Sequence, residues 1–225
     1  MKTILIFGAK GSIGTYLFNK FKLEFSVIGT TRNKTIIEDD IIYVDSLNID
    51  NLLTIKNVDA IVWASGDNCS DNIIDFNIHK FETIIDANIK FILNTIHILL
   101  TNNKINKNAK LVIISSIWEE LTRENKLSYT ISKSALSGLV KNISYDLSKD
   151  NILINNILPG IIDNEMSRKA LTVYQFNTVA NTMQFNRLIT LDDIFNTVYF
   201  LLINNTGITG QSIKVDLGFT NIKRI

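Results

Sequence analysis

The first twenty-one residues constrain the fold of this 225-residue chain more than any other stretch. Thr3-Ile4-Leu5-Ile6-Phe7 is a short apolar run without polar alternation, the pattern of a strand buried on both faces of a parallel sheet. Gly8-Ala9-Lys10-Gly11-Ser12-Ile13-Gly14 follows at once, and Thr15-Tyr16-Leu17-Phe18-Asn19-Lys20-Phe21 then takes up helix-like spacing. Strand, glycine-rich turn and helix, in that order, are the context of a dinucleotide-binding turn. Its glycines let backbone approach a pyrophosphate, and the helix N-terminus offers N–H groups and a positive dipole end. Gly8, Lys10, Gly11, Ser12, Ile13 and Gly14 are the candidate contacts.

Further apolar runs alternate with helix-like segments. Strands are expected at residues 25–30, 41–44, 60–64, 111–115, 152–158 and 212–215. A long helix is expected from Tyr129 to about Leu147. Its Ile131, Ala135, Leu139, Ile143 and Leu147 recur every fourth position, with Leu136 and Val140 alongside, as an apolar stripe. Thr190-Leu191-Asp192-Asp193 has the form of a capping box opening a helix through Leu202. This alternation predicts a Rossmann-type α/β fold: a doubly wound parallel sheet of about seven strands with helices on both faces. No linker, repeat or low-complexity segment divides the chain, so residues 1–225 read as a single domain.

The chemistry centres on Tyr129-Thr130-Ile131-Ser132-Lys133. Tyr129 and Lys133 are four apart and share a helix face. A phenol has a pKa near ~10 and exchanges protons poorly at neutral pH. An ammonium one turn away favours the phenolate and improves the phenol as a general acid. Ser116 closes the apolar run Leu111-Val112-Ile113-Ile114, thirteen positions before Tyr129, where its hydroxyl could hold a substrate oxygen beside the phenol. Ser115 competes for that role but points to the opposite strand face. Trp118 is a candidate pocket wall. The grouping suits proton transfer to or from a carbonyl or alcohol oxygen, with the hydride carrier at the amino-terminal turn.

Together these motifs resemble the short-chain dehydrogenase/reductase family over nearly the whole chain. Asn88 lies 28 positions before Ser116 and matches the family's fourth catalytic residue. Asn155-Asn156-Ile157-Leu158-Pro159-Gly160 resembles its sixth strand and Pro-Gly turn, and residues 208–216 resemble its last strand region. The resemblance implies that Asn88, Ser116, Tyr129 and Lys133 carry catalysis. The backbone carbonyl of Asn88 would hold a water linking Lys133 to solvent, and Tyr129 and Lys133 would also meet the cofactor. It further assigns to the cofactor site Asp45, Ser46, Ala64, Gly66, Pro159, Gly160, Ile162 and Asn164. Asp45 would contact the adenine amine, and Asn164 stands where a threonine often bonds the carboxamide. Residues 161–186, with Met166, Arg168, Tyr174, Phe176 and Met183, would form the substrate lid. Two departures bear on activity. Glycines at 8, 11 and 14 look more like the family's extended branch, whose extra substrate domain this chain is too short to hold. Trp63-Ala64 replaces asparagines that normally brace the central strands.

Cofactor choice turns on Thr30-Thr31-Arg32-Asn33-Lys34. Thr31 stands where the family's NAD-preferring members usually carry Asp. A hydroxyl does not repel a 2′-phosphate, Arg32 offers a planar fork of donors, and Lys10 could approach the same phosphate. NADP(H) is therefore expected, with NAD(H) as the alternative.

A net charge of +1 argues against a nucleic-acid partner. His79 and His97 have no Cys or carboxylate cluster at ligand spacing, so no metal is expected. The single Cys69, the lack of a signal peptide before the first strand, and the lack of an uninterrupted apolar run of spanning length predict a cytoplasmic protein without a membrane partner. The stretch around Asn88 is apolar nearly all round (Ile89, Phe91, Ile92, Leu93, Ile96, Ile98, Leu99, Leu100), which predicts a homodimer or homotetramer. The expected activity is NADP(H)-dependent reduction of a carbonyl compound, with 3-oxoacyl thioesters, sugar-nucleotide ketones and small ketones all open as substrates. The alternative is a cofactor-binding protein without turnover, acting as a sensor or assembly partner.

Overall fold

The amino-terminal apolar run forms β1 (Thr3–Phe7), and all five of its residues are buried. Its side chains alternate between two cores. Ile4 and Ile6 join Leu17, Phe18 and Phe21 of α1 (Ser12–Phe21) and Ile194 and Val198 of α5 (Leu191–Tyr199). Leu5 and Phe7 join Ile92, Ile96 and Leu99 of α3 (Phe91–Thr101) and Leu136 and Val140 of α4 (Leu127–Asp146). A strand with two apolar faces needs a helical layer on each, which is why the sheet is doubly wound.

The computed structural model describes residues 1–36, 38–163 and 185–222. Among them, β2 (Ser26–Thr31), β3 (Ile41–Tyr43), β4 (Val58–Trp63), β5 (Ile105–Ile114), β6 (Leu153–Pro159) and β7 (Ser212–Val215) complete one seven-stranded sheet in the order β3-β2-β1-β4-β5-β6-β7. Every pair is parallel. The strand order reverses between β1 and β4. In open parallel sheets the carboxyl ends of the strands at such a switch point form the ligand crevice.

Three expectations need correction. β5 begins at Ile105, not residue 111, because polar Asn106, Lys107 and Asn108 hide its start and a register irregularity lies between Val58 and Ala60. The buried stripe of α4 is rotated by one position: Ser132, Lys133, Leu136 and Val140 face inward, while Ile131 and Ala135 are exposed. The polar residues Ser132 and Lys133 take inward places that periodicity assigned to apolar neighbours. Finally, residues Ile78–Thr101 run as one 24-residue helical stretch, long and apolar enough by length and composition to cross a bilayer. It comprises α2 (Ile78–Ile85), a π-helical turn (Asp86–Lys90) and α3. Ile92, Thr95, Ile96 and Leu99 are buried in the protein, and this stretch is a sheet-covering layer.

Trp63 accounts for the missing asparagines. Its ring stacks on Phe7 of the neighbouring strand at 5.4 Å and 8°, and its Nε1 donates to Thr95 Oγ1 on α3 across 2.9 Å. These contacts brace the two central strands against α3 by other means.

Candidate active site

The crevice at the switch point is a cleft of about 1180 Å³. Its floor starts at Gly8, which holds φ at +77°. A Cβ there would lie 2.9 Å from the Ser65 backbone, and one on Gly14 would lie 2.0 Å from the Gly8 carbonyl oxygen. Both positions therefore admit only glycine, and together they press α1 against the turn. Gly8, Lys10, Gly11, Ser12 and Ile13 line the cleft; Gly14 does not, and acts through packing. The Ser65 hydroxyl on the same wall is buried and has no hydrogen-bond partner among the described residues. A glycine-rich cradle at a helix N-terminus, with a buried unpaired hydroxyl beside it, fits a pyrophosphate-bearing cofactor.

At the other end, Ser116 and Tyr129 line the cleft together. Burial raises the Tyr129 pKa, and the neighbouring Ser116 hydroxyl pulls it partly back. The net shift thus runs opposite to the lowering expected from Lys133: desolvation of the phenolate is the larger effect, and the opposing one comes from Ser116. Lys133 Nζ lies 5.6 Å from the Tyr129 ring centre and donates to the Ile114 carbonyl at 3.3 Å. Burial lowers its pKa to about 8, opposed by the charge of Glu119. Lys133 is behind the wall and does not line the cleft.

Asn88 sits in the π-helical turn Asp86–Lys90, a backbone form often found at functional sites. It is 1% exposed. Its Oδ1 accepts the Asp67 N–H at 2.8 Å, and its Nδ2 donates to the Asp67 carbonyl and to Ser132 Oγ, both at 2.9 Å. The side chain thus ties the loop after β4 to the helix of Tyr129 and Lys133. Gly66 is required next to it, since a Cβ would meet Asn88 Oδ1 at 2.9 Å.

Beyond the β2 and β3 ends, Thr31, Arg32, Asp45 and Ser46 line the cleft. Arg32 forms a two-pronged ion pair with Asp67 (3.0 and 3.2 Å), and Lys10 pairs with Glu38 at 2.5 Å. Asp45 caps the following turn. It accepts the N–H groups of Leu47 and Asn48, the Asn48 amide and the Tyr43 hydroxyl, which hold its pKa well below the usual carboxylate range. Ala64, Gly66, Pro159, Gly160 and Ile162 also line the cleft. Asn164 and the lid residues Met166, Arg168, Tyr174, Phe176 and Met183 lie outside the described residues.

Three side chains escaped the sequence reading. Glu119 is 7% exposed and accepts hydrogen bonds from Ser115 (2.7 Å), Asn156 (3.1 Å) and Ser212. Burial raises its pKa. Lys126 is 6% exposed and reaches the Tyr129 ring. Asp67 pairs with Arg32 across the cleft. The one available signal was Lys126 three positions before Tyr129, on the same helical face.

A family model described as enoyl-(acyl carrier protein) reductase matches residues 52–220. The 3-oxoacyl-[acyl-carrier-protein] reductase FabG of Rickettsia typhi is 30% identical to this chain, covering 96% of each. The solved aldohexose dehydrogenase of Thermoplasma acidophilum superposes with a TM-score of 0.89 at 23% identity, covering 100% of this chain and 96% of that one. ElxO with NADP bound superposes with a TM-score of 0.82 at 23% identity, covering 99% and 100%. These two share the fold. The glycine cradle at the switch point, the Ser-Tyr-Lys grouping beside it and the matching family model lead to one assignment: the chain belongs to the short-chain dehydrogenase/reductase family, NAD(P)-dependent oxidoreductases acting on CH–OH and C=O groups.

Proposed function

We propose that this protein reduces the keto group of a 3-oxoacyl thioester with NADPH, and runs the reverse oxidation where equilibrium allows. The bound nicotinamide supplies the hydride; the residues of this chain handle the oxygen and its proton. Ser116 orients the carbonyl oxygen. Tyr129 gives it a proton as general acid, and Lys133 favours the phenolate left behind. The Asn88 turn anchors a water through which Lys133 recovers a proton. The observation that carries this reading is that Ser116 and Tyr129 line the same cleft, with the Lys133 ammonium 5.6 Å from the Tyr129 ring.

Gly8 to Ile13 would hold the pyrophosphate. The absence of an acid at Thr31, with Arg32 and Lys10 nearby, supports a 2′-phosphate. Both cations are paired with acids, but an exposed ion pair contributes only ~0–1 kcal/mol. A charged hydrogen bond to a phosphate contributes roughly 1.5–3 kcal/mol, so exchange favours the phosphate. The thioester substrate is drawn from the similarity to FabG along the full length of both chains.

The reading without turnover rested on the altered glycine turn and Trp63-Ala64. A Cβ on Gly11 would meet only the Gly8 carbonyl oxygen, at 3.4 Å, and Trp63 braces the sheet, so neither feature argues against activity. NADPH consumption across 3-oxoacyl thioesters, ketones and keto-sugar nucleotides tests the proposal. Preference for the thioesters is expected. Preference for another class overturns the substrate, and no oxidation with any of them overturns the reaction.

A further inference from the structure

Two ammonium groups approach the Tyr129 ring. Lys133 Nζ lies 5.6 Å from its centre and Lys126 Nζ lies 5.4 Å from it. Lys126 stands at the N-cap position of α4 and lines the cleft beside Tyr129. Its Nζ donates to Asn68 Oδ1 at 2.7 Å and to the Cys69 carbonyl at 3.2 Å, both neutral acceptors. Among the described residues it forms no ion pair.

A role limited to holding the 64–71 loop explains the two hydrogen bonds but not the charge. A neutral donor makes the same bonds without the cost of burying an ammonium. The charge has a use at the phenol, where an opposite charge within several ångströms stabilises the ionised form. We infer that Lys126 is a positioning residue for proton transfer, acting with Lys133 to stabilise the phenolate of Tyr129 as its proton leaves.

Other charged and titratable groups set the background. Arg123, on the same segment, opposes the Lys126 charge; Cys69 and Asp71, on the loop after β4, support it, and burial lowers its pKa. Asp71 itself faces Ser128, whose N–H and hydroxyl it accepts. Lys80 of α2 acts on Cys69 and Asp71, and Glu119 acts on Lys133. A cation that favours the phenolate helps both directions, since reduction generates the phenolate and oxidation begins from it.

The inference rests on Tyr129 as the proton-transferring group, and its test reads the phenol directly without a substrate. Phenolate absorbance is titrated in the NADP-saturated protein, with the Tyr129→Phe variant of each background subtracting the other tyrosines. Lys126→Met should raise the Tyr129 midpoint by about one pH unit, the scale of one nearby charge. Lys126→Arg should stay within a few tenths of a unit. If the Met variant does not fold, Lys126→Gln retains a donor for Asn68 and should give the same rise. Coincident midpoints for the uncharged variant and the parent overturn the inference, as does an equal shift in Lys126→Arg. A shift without turnover on any carbonyl would refute the proposed reaction and leave this inference standing. Turnover that depends on Tyr129, with no shift, would refute this inference alone.

Discussion

Asn88 Nδ2 donates to Ser132 Oγ across 2.9 Å in the protein interior, and this bond couples the π-helical turn to the helix that carries Tyr129 and Lys133. The same amide holds both the N–H and the carbonyl of Asp67. Asn88→Ala leaves these groups and the Ser132 hydroxyl to find other partners. Destabilisation of about 1–3 kcal/mol is expected, with a matching drop in Tm. Ser132→Ala removes one of the three bonds and should cost less. Denaturant unfolding of both variants checks the order; equal losses would show that the bonds to Asp67 contribute nothing.

Glu119 gives a pH prediction. Burial raises its folded-state pKa above the ordinary value of 4.5. Its stabilising contribution is therefore fully present below that ordinary value and is lost as pH rises through the raised one. Glu119→Gln removes this loss. The stability of the variant relative to wild type should improve as pH rises from about 4.5 and level off above the raised pKa. A difference in unfolding free energy that stays flat between mildly acidic and neutral pH would contradict the raised value.

Arg32 should set cofactor preference. Arg32→Ala is expected to weaken NADPH by roughly 1.5–3 kcal/mol, the contribution of a charged hydrogen bond to phosphate, and NADH far less. Asp67→Asn releases the guanidinium from its ion pair and should tighten NADPH. Fluorescence titration of both cofactors decides it. Equal losses in Arg32→Ala would remove Arg32 from the 2′-phosphate site.

Self-association should use the outer faces of α3 and α4, where Leu93 is 43% and Ile131 42% exposed. Light scattering should give a multiple of the 25.4 kDa chain mass, and Leu93→Glu should lower it. A mass of one chain at micromolar concentration would contradict this.

The strands, the glycine turn and the Ser116–Tyr129–Lys133 grouping were legible because each leaves a local signal: an apolar run and its end, a turn, or a fixed spacing along one helix. The inward face of α4 was misread by one position because Ser132 and Lys133 are polar, and apolar periodicity takes no account of buried polar residues with a partner. Glu119 was invisible because its partners are far apart in the chain: Asn156 and Ser212 lie in β6 and β7, and Ser115 follows the end of β5. The Arg32–Asp67 pair joins loops after different strands, and the sequence gives no hint of that register. Asp45 shows the limit of a resemblance: its oxygens are engaged by Tyr43, Leu47 and Asn48, a local turn that spacing alone does not distinguish from a ligand contact.

The most direct test is Tyr129→Phe, which removes one hydroxyl from a partly buried ring. NADPH oxidation with a 3-oxoacyl thioester should fall by about 10²–10⁴-fold, the usual contribution of a general acid. NADPH affinity and Tm should stay close to wild type. A rate within a few-fold of wild type would show that Tyr129 does not deliver the proton.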